Sequence, residues 1–244
     1  MKPVSTALLP QLTRLAAVHD TIVRCEQCPR LRAYCQQIAR DKRRAYRDET
    51  YWGRPVPGFG DPTARLLLVG LAPAAHGANR TGRVFTGDGT GGSGDFLMTA
   101  LHRNGFANMP TSRHIDDGLA LYDAYIVAAV RCAPPGNAPL PEEITRCLDH
   151  LEAETAELRR VQIVVALGKI AFDVWLRALK RRGMEVPSPR PQFAHGAIAR
   201  VSGPGGSPHI LIGSYHPSRQ NTNTGKLTPA MMAGIFGKAK KLLR

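Results

Sequence analysis

The sequence is short of acidic side chains: 19 Asp and Glu stand against 33 Lys and Arg, a formal net charge of +14 near neutral pH. A chain so charged repels itself and attracts polyanions, which puts nucleic acid first among its partners. It also has no uninterrupted apolar run of about 18 residues, the length a membrane-crossing helix needs. Its opening stretch is broken by Pro10, Arg14 and Asp20, so it reads as neither a membrane span nor a signal peptide, and a cytoplasmic protein without membrane contact is expected. Neither GxGxxG nor GxxxxGK[ST] occurs, which removes the dinucleotide-binding and P-loop readings. Internal repeats and low-complexity blocks are absent too.

At about 150 residues per domain, 244 residues leave room for one large domain with an appended arm. Four short apolar runs, at 65–70 (RLLLVG), 125–130 (YIVAAV), 162–167 (QIVVAL) and 209–213 (HILIG), are continuous rather than alternating. That is the pattern of parallel strands covered on both faces. Helical patterns fall between and after them: 95–103 with Asp95 as N-cap, 141–158, 170–182 closed by Gly183, and 229–243 with Thr228 as N-cap and Pro229 in the first turn. The alternation predicts a three-layer α/β/α sandwich around a central four-stranded parallel sheet over residues 61–244. A mostly helical arm, residues 1–60, precedes it and ends in a Gly/Pro-rich crossing. In such sheets the ligand crevice lies beyond the carboxyl ends of the strands, where three long polar loops follow the first, second and fourth runs.

Five cysteines in a reducing compartment are read as ligands or core residues, not disulfides. Cys25 and Cys28 form CxxC in the arm, Cys132 follows the second run, and Cys147 lies in the next helix. Four thiolates brought together suit a tetrahedral zinc ion or an iron–sulfur cluster, and spacing alone leaves both open. Cys35 is the spare, read as a small buried side chain.

Four separated segments, WGRPVPGFGDP (52–62), GLAPAAHGANRTGRVFTGDGTG (70–91), RCAPPGN (131–137) and SYHPSRQNTNTGKLT (214–228), occur in order. Together they resemble family 5 of the uracil-DNA glycosylase superfamily, the B-type bacterial and archaeal enzymes, over about residues 20–244. The resemblance implies a uracil-DNA glycosylase-like fold and a [4Fe-4S] cluster, in preference to zinc, on Cys25, Cys28, Cys132 and Cys147, tying the arm to the catalytic domain. It implies removal of uracil, and of other deaminated bases such as hypoxanthine, xanthine or bulkier lesions, from DNA by a monomeric enzyme of base excision repair. An abasic site is left and the backbone is not nicked, because no lysine except Lys226 lies in the matched loops to act as a lyase amine.

An excised base has to leave the duplex, stack on an aromatic ring and meet hydrogen-bonding groups. By the resemblance Phe85 is the stacking ring, with Gly70, Ala72 and Ala128 around the base. His216 stabilises the charge on the departing base, and Asp88 and Asn137 are the nearest acid and amide for positioning water or offsetting positive charge. Ala128 stands where related families carry an Asn that reads uracil, which points to a less selective pocket. Contacts to DNA are expected from Arg80, Arg83, Arg219, Gln220, Asn221 and Lys226, with Arg131 and Lys169 as further phosphate contacts. His76, His195 and His209 have no metal-type spacing and are read as loop or core hydrogen-bonders, although His76 lies close enough to the pocket to contact a base. A catalytically silent nucleic-acid-binding protein of the same fold is the rival reading, since it shares the charge argument and accounts for the apolar GLAPA and Ala128.

Overall fold

The computed structural model describes residues 8–87, 89–202 and 208–244. The arm contributes α1 (Leu9–Val23) and α2 (Pro29–Asp41), followed by a single 3-10 turn at Arg44–Tyr46. Proline in the first turn of each helix fits a position whose N–H has no intrahelical partner. Then come β1 (Phe59–Gly60), β2 (Leu66–Gly70), α3 (Ala78–Thr81), α4 (Ser93–Arg103), β3 (Ala124–Ala128), α5 (Pro141–Glu157), β4 (Ile163–Leu167) and α6 (Lys169–Arg181). β5 (Ile198–Ser202), β6 (Pro208–Ser214), α7 (Arg219–Asn223) and α8 (Pro229–Leu242) complete the chain.

The sheet order is β1-β3-β2-β4-β6-β5. The four central strands run parallel, as the apolar runs predict, but an antiparallel strand is added on each edge. β1 is two residues long and too short to leave a pattern. In β2, β3 and β4 every residue is buried, and alternate positions feed opposite layers. Leu66 and Leu68 pack with Leu97, Leu101, Ile235 and Phe236 of α4 and α8, whereas Leu67 and Val69 pack with Leu148, Leu151, Phe172 and Trp175 of α5 and α6. Burying each such side chain is worth about 1.5–3 kcal/mol, and period-two alternation divides that stabilisation between both faces of the sheet.

Helix ends match the sequence closely, with one correction. Asp95 is not the N-cap of α4, which begins at Ser93 after Gly92. Asp95 sits inside the first turn, where its carboxylate accepts from the backbone N–H of Gly91 and of Ser112, both at 3.2 Å. Thr228 does cap α8, accepting from Met231 N–H at 3.2 Å.

The arm is attached by buried polar contacts as well as by apolar ones. Glu154 of α5 is wholly buried and collects His19 Nε2 at 2.8 Å, the Gly58 N–H at 2.8 Å, the Tyr125 hydroxyl at 2.9 Å and Arg131 Nη1 at 2.5 Å. Burial pushes its carboxyl upward, but Arg131 and then His19 outweigh that and hold it at about 2. Arg30 of α2 grips Glu143 of α5 with two hydrogen bonds of 2.7 Å, and Glu143 in turn accepts the Leu140 N–H that opens α5. No helix among the described residues is long and apolar enough to cross a membrane.

Candidate functional site

A cleft of about 690 Å³ opens at the carboxyl ends of β2, β3 and β6, within the size range of small-ligand sites. The end of β2 and its loop supply Gly70, Ala72, His76 and Phe85; the end of β3 and its loop supply Ala128 and Asn137; the segment after β6 supplies His216, Arg219 and Gln220. Three loops far apart in sequence thus meet at one place. Arg43 and Tyr46, from the arm, complete the wall. Asp88 lies outside the described residues.

Phe85 carries a positive φ of 51°, a backbone conformation unusual for a bulky side chain and the mark of a position the surroundings over-determine. Gly94 is one cause. A side chain there would project to 2.3 Å from the Phe85 carbonyl oxygen, so α4 can approach the loop this closely only with glycine at 94. The ring lies over the end of β2, where a Cβ at Gly70 would come within 2.9 Å of it. Beside it stands His216, ring centroids 5.9 Å apart and planes tilted by 34°.

His216 follows directly on β6 and is held from below, its backbone carbonyl accepting the Asn221 side-chain amide at 2.8 Å. Burial pushes its imidazole down to about 4, so the ring is neutral at physiological pH. A neutral imidazole carries one N–H donor and one acceptor nitrogen. Asn137 is exposed at the rim and, like Phe85, has a positive φ, 58°, which asparagine tolerates. Ala72 and Ala128 give the cleft apolar wall and no polar reader.

The basic residues divide sharply. Arg80 is 4% exposed; it pairs with Glu49, donates to the His76 carbonyl at 2.9 Å and to the Gly87 carbonyl at 2.7 Å, and lies over the Tyr46 ring. Arg83 is 3% exposed and pairs with Asp117 at 2.7 Å, while donating to Thr86 and Ser112. Arg131 is 1% exposed and pairs with Glu154. The expectation that these three contact DNA is therefore corrected: a buried guanidinium ion-paired inside the fold cannot reach a phosphate, and Arg80 and Arg83 instead brace the glycine-rich loop. Lys169 is exposed but sits 2.5 Å from Asp173 one turn along. Asn221 uses its amide on His216. At the surface remain Arg219 and Gln220 on the cleft lip and Lys226, whose ammonium lies 5.1 Å from the centre of the Tyr215 ring.

Cys25, Cys28, Cys132 and Cys147 line a second, small cavity between the arm, the end of β3 and α5. Burial raises the Cys28 thiol and pushes Cys147 up to about 11, and Cys132 is raised by the hydrogen bond it shares with Cys35 and by burial. Among the described residues no group of three or more His, Cys, Asp or Glu is placed to hold a metal ion. A single zinc requires all four sulfurs about 2.3 Å from one point, whereas a cluster of several atoms spaces them more widely. In the same cavity wall are Arg131 and His150, whose Nε and Nε2 atoms are buried without a hydrogen-bond partner. Four thiols with the orphaned Arg131 Nε–H beside them are a donor set of the kind an anionic iron–sulfur group would take.

The arm's share of the cleft was not legible in the sequence. Arg43 and Tyr46 sit in a basic run, RDKRRAYR, that reads as a nonspecific handle, and only tertiary contact brings it to the pocket.

The profile of the uracil DNA glycosylase superfamily matches residues 57–240. A type-5 uracil-DNA glycosylase of Thermus thermophilus is 49% identical over 223 residues, covering 91% of this chain and 95% of the relative. One of Mycobacterium tuberculosis is 49% identical over 219 residues, 89% of this chain and 78% of the relative. A type-4 uracil-DNA glycosylase of Archaeoglobus fulgidus is 32% identical over 117 residues, about half of each chain.

Proposed function

The chain belongs to the uracil DNA glycosylase superfamily, and from that premise we propose that it is a family 5, B-type enzyme that hydrolyses the N-glycosidic bond of uracil in DNA and leaves an abasic site. The carrying observation is the meeting of Phe85, Asn137 and His216 in one cleft with the small residues Gly70, Ala72 and Ala128.

The chemistry follows from those groups. A base flipped out of the duplex stacks on Phe85, and His216 donates a hydrogen bond to a base carbonyl. Charge accumulates on that oxygen as the bond to the sugar lengthens, so a preoriented neutral donor stabilises the transition state more than the ground state. Asn137 at the rim and Asp88 orient the attacking water or offset charge on the sugar. With no fixed side-chain reader at Ala72 or Ala128, hypoxanthine, xanthine and bulkier deaminated bases also fit. Arg219, Gln220 and Lys226 hold the DNA at the cleft lip, where Arg219 or Gln220 fills the gap left by the base.

Cys25, Cys28, Cys132 and Cys147 would hold a [4Fe-4S] cluster. When bound, it supplies a covalent link between arm and sheet domain. We place the enzyme in the cytoplasm, as a monomer acting on chromosomal DNA.

Single-turnover incubation with uracil- and hypoxanthine-containing oligonucleotides, followed by alkali to cleave abasic sites, tests this reading. Cleavage at the lesion is expected, with Asp88→Asn, Asn137→Ala and His216→Ala each slower at unchanged salt-dependent affinity. Absence of product on every lesion leaves the silent DNA-binding protein.

A further inference from the structure

Three residues beside the cleft form a hydrogen-bond chain whose direction can be read. The backbone N–H of Arg43 donates to the Tyr51 hydroxyl oxygen at 3.3 Å, and that oxygen lies 3.0 Å from His76 Nδ1. Tyr51 is 7% exposed, and among the described residues its hydroxyl meets no other acceptor. Buried hydroxyl protons go to a partner. One lone pair receives the Arg43 N–H, so the proton goes to His76 Nδ1. An imidazole that accepts at Nδ1 while neutral carries its hydrogen on Nε2, and His76 is kept neutral by burial and by the charges of Arg43 and Arg80. The edge-on contact of the two rings, centroids 6.1 Å apart at 87°, fixes their relative orientation.

His76 lines the same cleft as Phe85 and His216, and its Nε2 has no hydrogen-bond partner among the described residues. It is thus a donor with one set polarity at the place where a flipped base enters. Deamination converts an exocyclic amino group, a donor, into a carbonyl, an acceptor. A fixed N–H pairs with that carbonyl and opposes the N–H of an undamaged cytosine or adenine. A side-chain amide such as Asn137 can turn to offer either oxygen or nitrogen and cannot make this distinction alone, and Ala128 offers no polar atom at all.

We propose that His76 Nε2–H is a specificity-determining contact that reads the exocyclic carbonyl of the extruded base, and that Tyr51 is the positioning residue that sets its tautomer. The proposal rests on the base-excision reading above and names what that pocket recognises.

The test uses the full chain. Excision is timed under single turnover on uracil- and hypoxanthine-containing oligonucleotides, and the imidazole tautomer is read by 15N NMR. In the wild type, His76 is expected to show a protonated Nε2 and an unprotonated Nδ1. His76→Ala is expected to slow excision of both bases roughly tenfold to a hundredfold, with affinity for undamaged DNA unchanged. Tyr51→Phe keeps the ring and removes the hydroxyl; it is expected to give mixed tautomers and a smaller loss of rate, and it keeps the proposal testable should the alanine variant fail to fold. If wild type excises neither base, the base-excision reading itself falls. If wild type excises and His76→Ala matches its rate, or His76 carries its hydrogen on Nδ1, the inference falls and that reading stands.

Discussion

The ring of Phe85 occupies the space into which a side chain at Gly70 would project: a Cβ there would lie 2.9 Å from Cε2 and 3.2 Å from Cζ. A ring whose backbone is already confined by Gly94 has little room to yield. Gly70→Ala is therefore expected to displace the stacking surface and slow uracil excision tenfold to a hundredfold, and Phe85→Ala is expected to do the same. Both changes act on one ring, so the double variant should be close to the slower single variant in a double-mutant cycle. Additive losses would separate Gly70 from Phe85.

His216 works as a neutral donor because its folded value lies near 4, below the ordinary 6.5. As pH falls from about 6.5 toward 4, the unfolded chain takes up a proton that the folded chain refuses, so stability declines through that window. The catalytic contribution of the ring stays constant until the pH approaches 4. The single-turnover rate should show no His216-dependent inflection near 6.5, and His216→Gln, which retains an uncharged donor, should keep more activity than His216→Ala. An inflection near 6.5 that disappears in the alanine variant would mean that the imidazolium is the working form.

Buried and surface cations predict opposite phenotypes. Asp117 accepts from Arg83 and from the backbone of Arg113, His114 and Leu119; burial opposes these contacts, but they prevail and hold it at about 2. Arg83→Met leaves that carboxylate without its guanidinium and should destabilise the fold by about 3–5 kcal/mol in urea titrations, leaving the salt dependence of DNA binding unaltered. Lys226→Met should leave stability within about 0.5 kcal/mol and reduce the slope of log affinity against log salt by about one. A reduced slope from Arg83→Met, corrected for unfolded protein, would return that residue to the DNA surface.

Substitution of Cys25, Cys28, Cys132 or Cys147 by serine should abolish bound iron and sulfide and the visible absorbance that accompanies them, and should lower the unfolding temperature. Cys35→Ser should retain both. Iron content unchanged by all four substitutions would take the cluster off these cysteines, and a wild type with stoichiometric zinc in place of iron would remove the cluster.

The four central strands were legible because burial on both faces demands continuous apolar runs, and the sequence has no other way to spell them. β5 was missed although IARVS carries a readable alternation, with Ala199 and Val201 buried and Ile198 and Arg200 exposed. The identity of the loop residues in the cleft came from a resemblance between motifs, because chain folding alone brings residues 70, 137 and 216 together. The fate of the arginines was illegible for a physical reason. A basic residue in a polar loop reads the same whether it faces a phosphate or a carboxylate supplied from tens of residues away, and Glu49, Asp117 and Glu154 each turned an expected DNA contact into an internal brace.

Glu154 gathers partners from α1, the Gly/Pro crossing, β3 and the loop beyond it, and a carboxylate so placed has no half-satisfied arrangement of low energy. Peeling the first two helices away would strand it without His19 and open its surroundings to water. Differential scanning calorimetry should accordingly record one endotherm, with matching van't Hoff and calorimetric enthalpies, and a fragment starting after residue 60 should not accumulate in folded form.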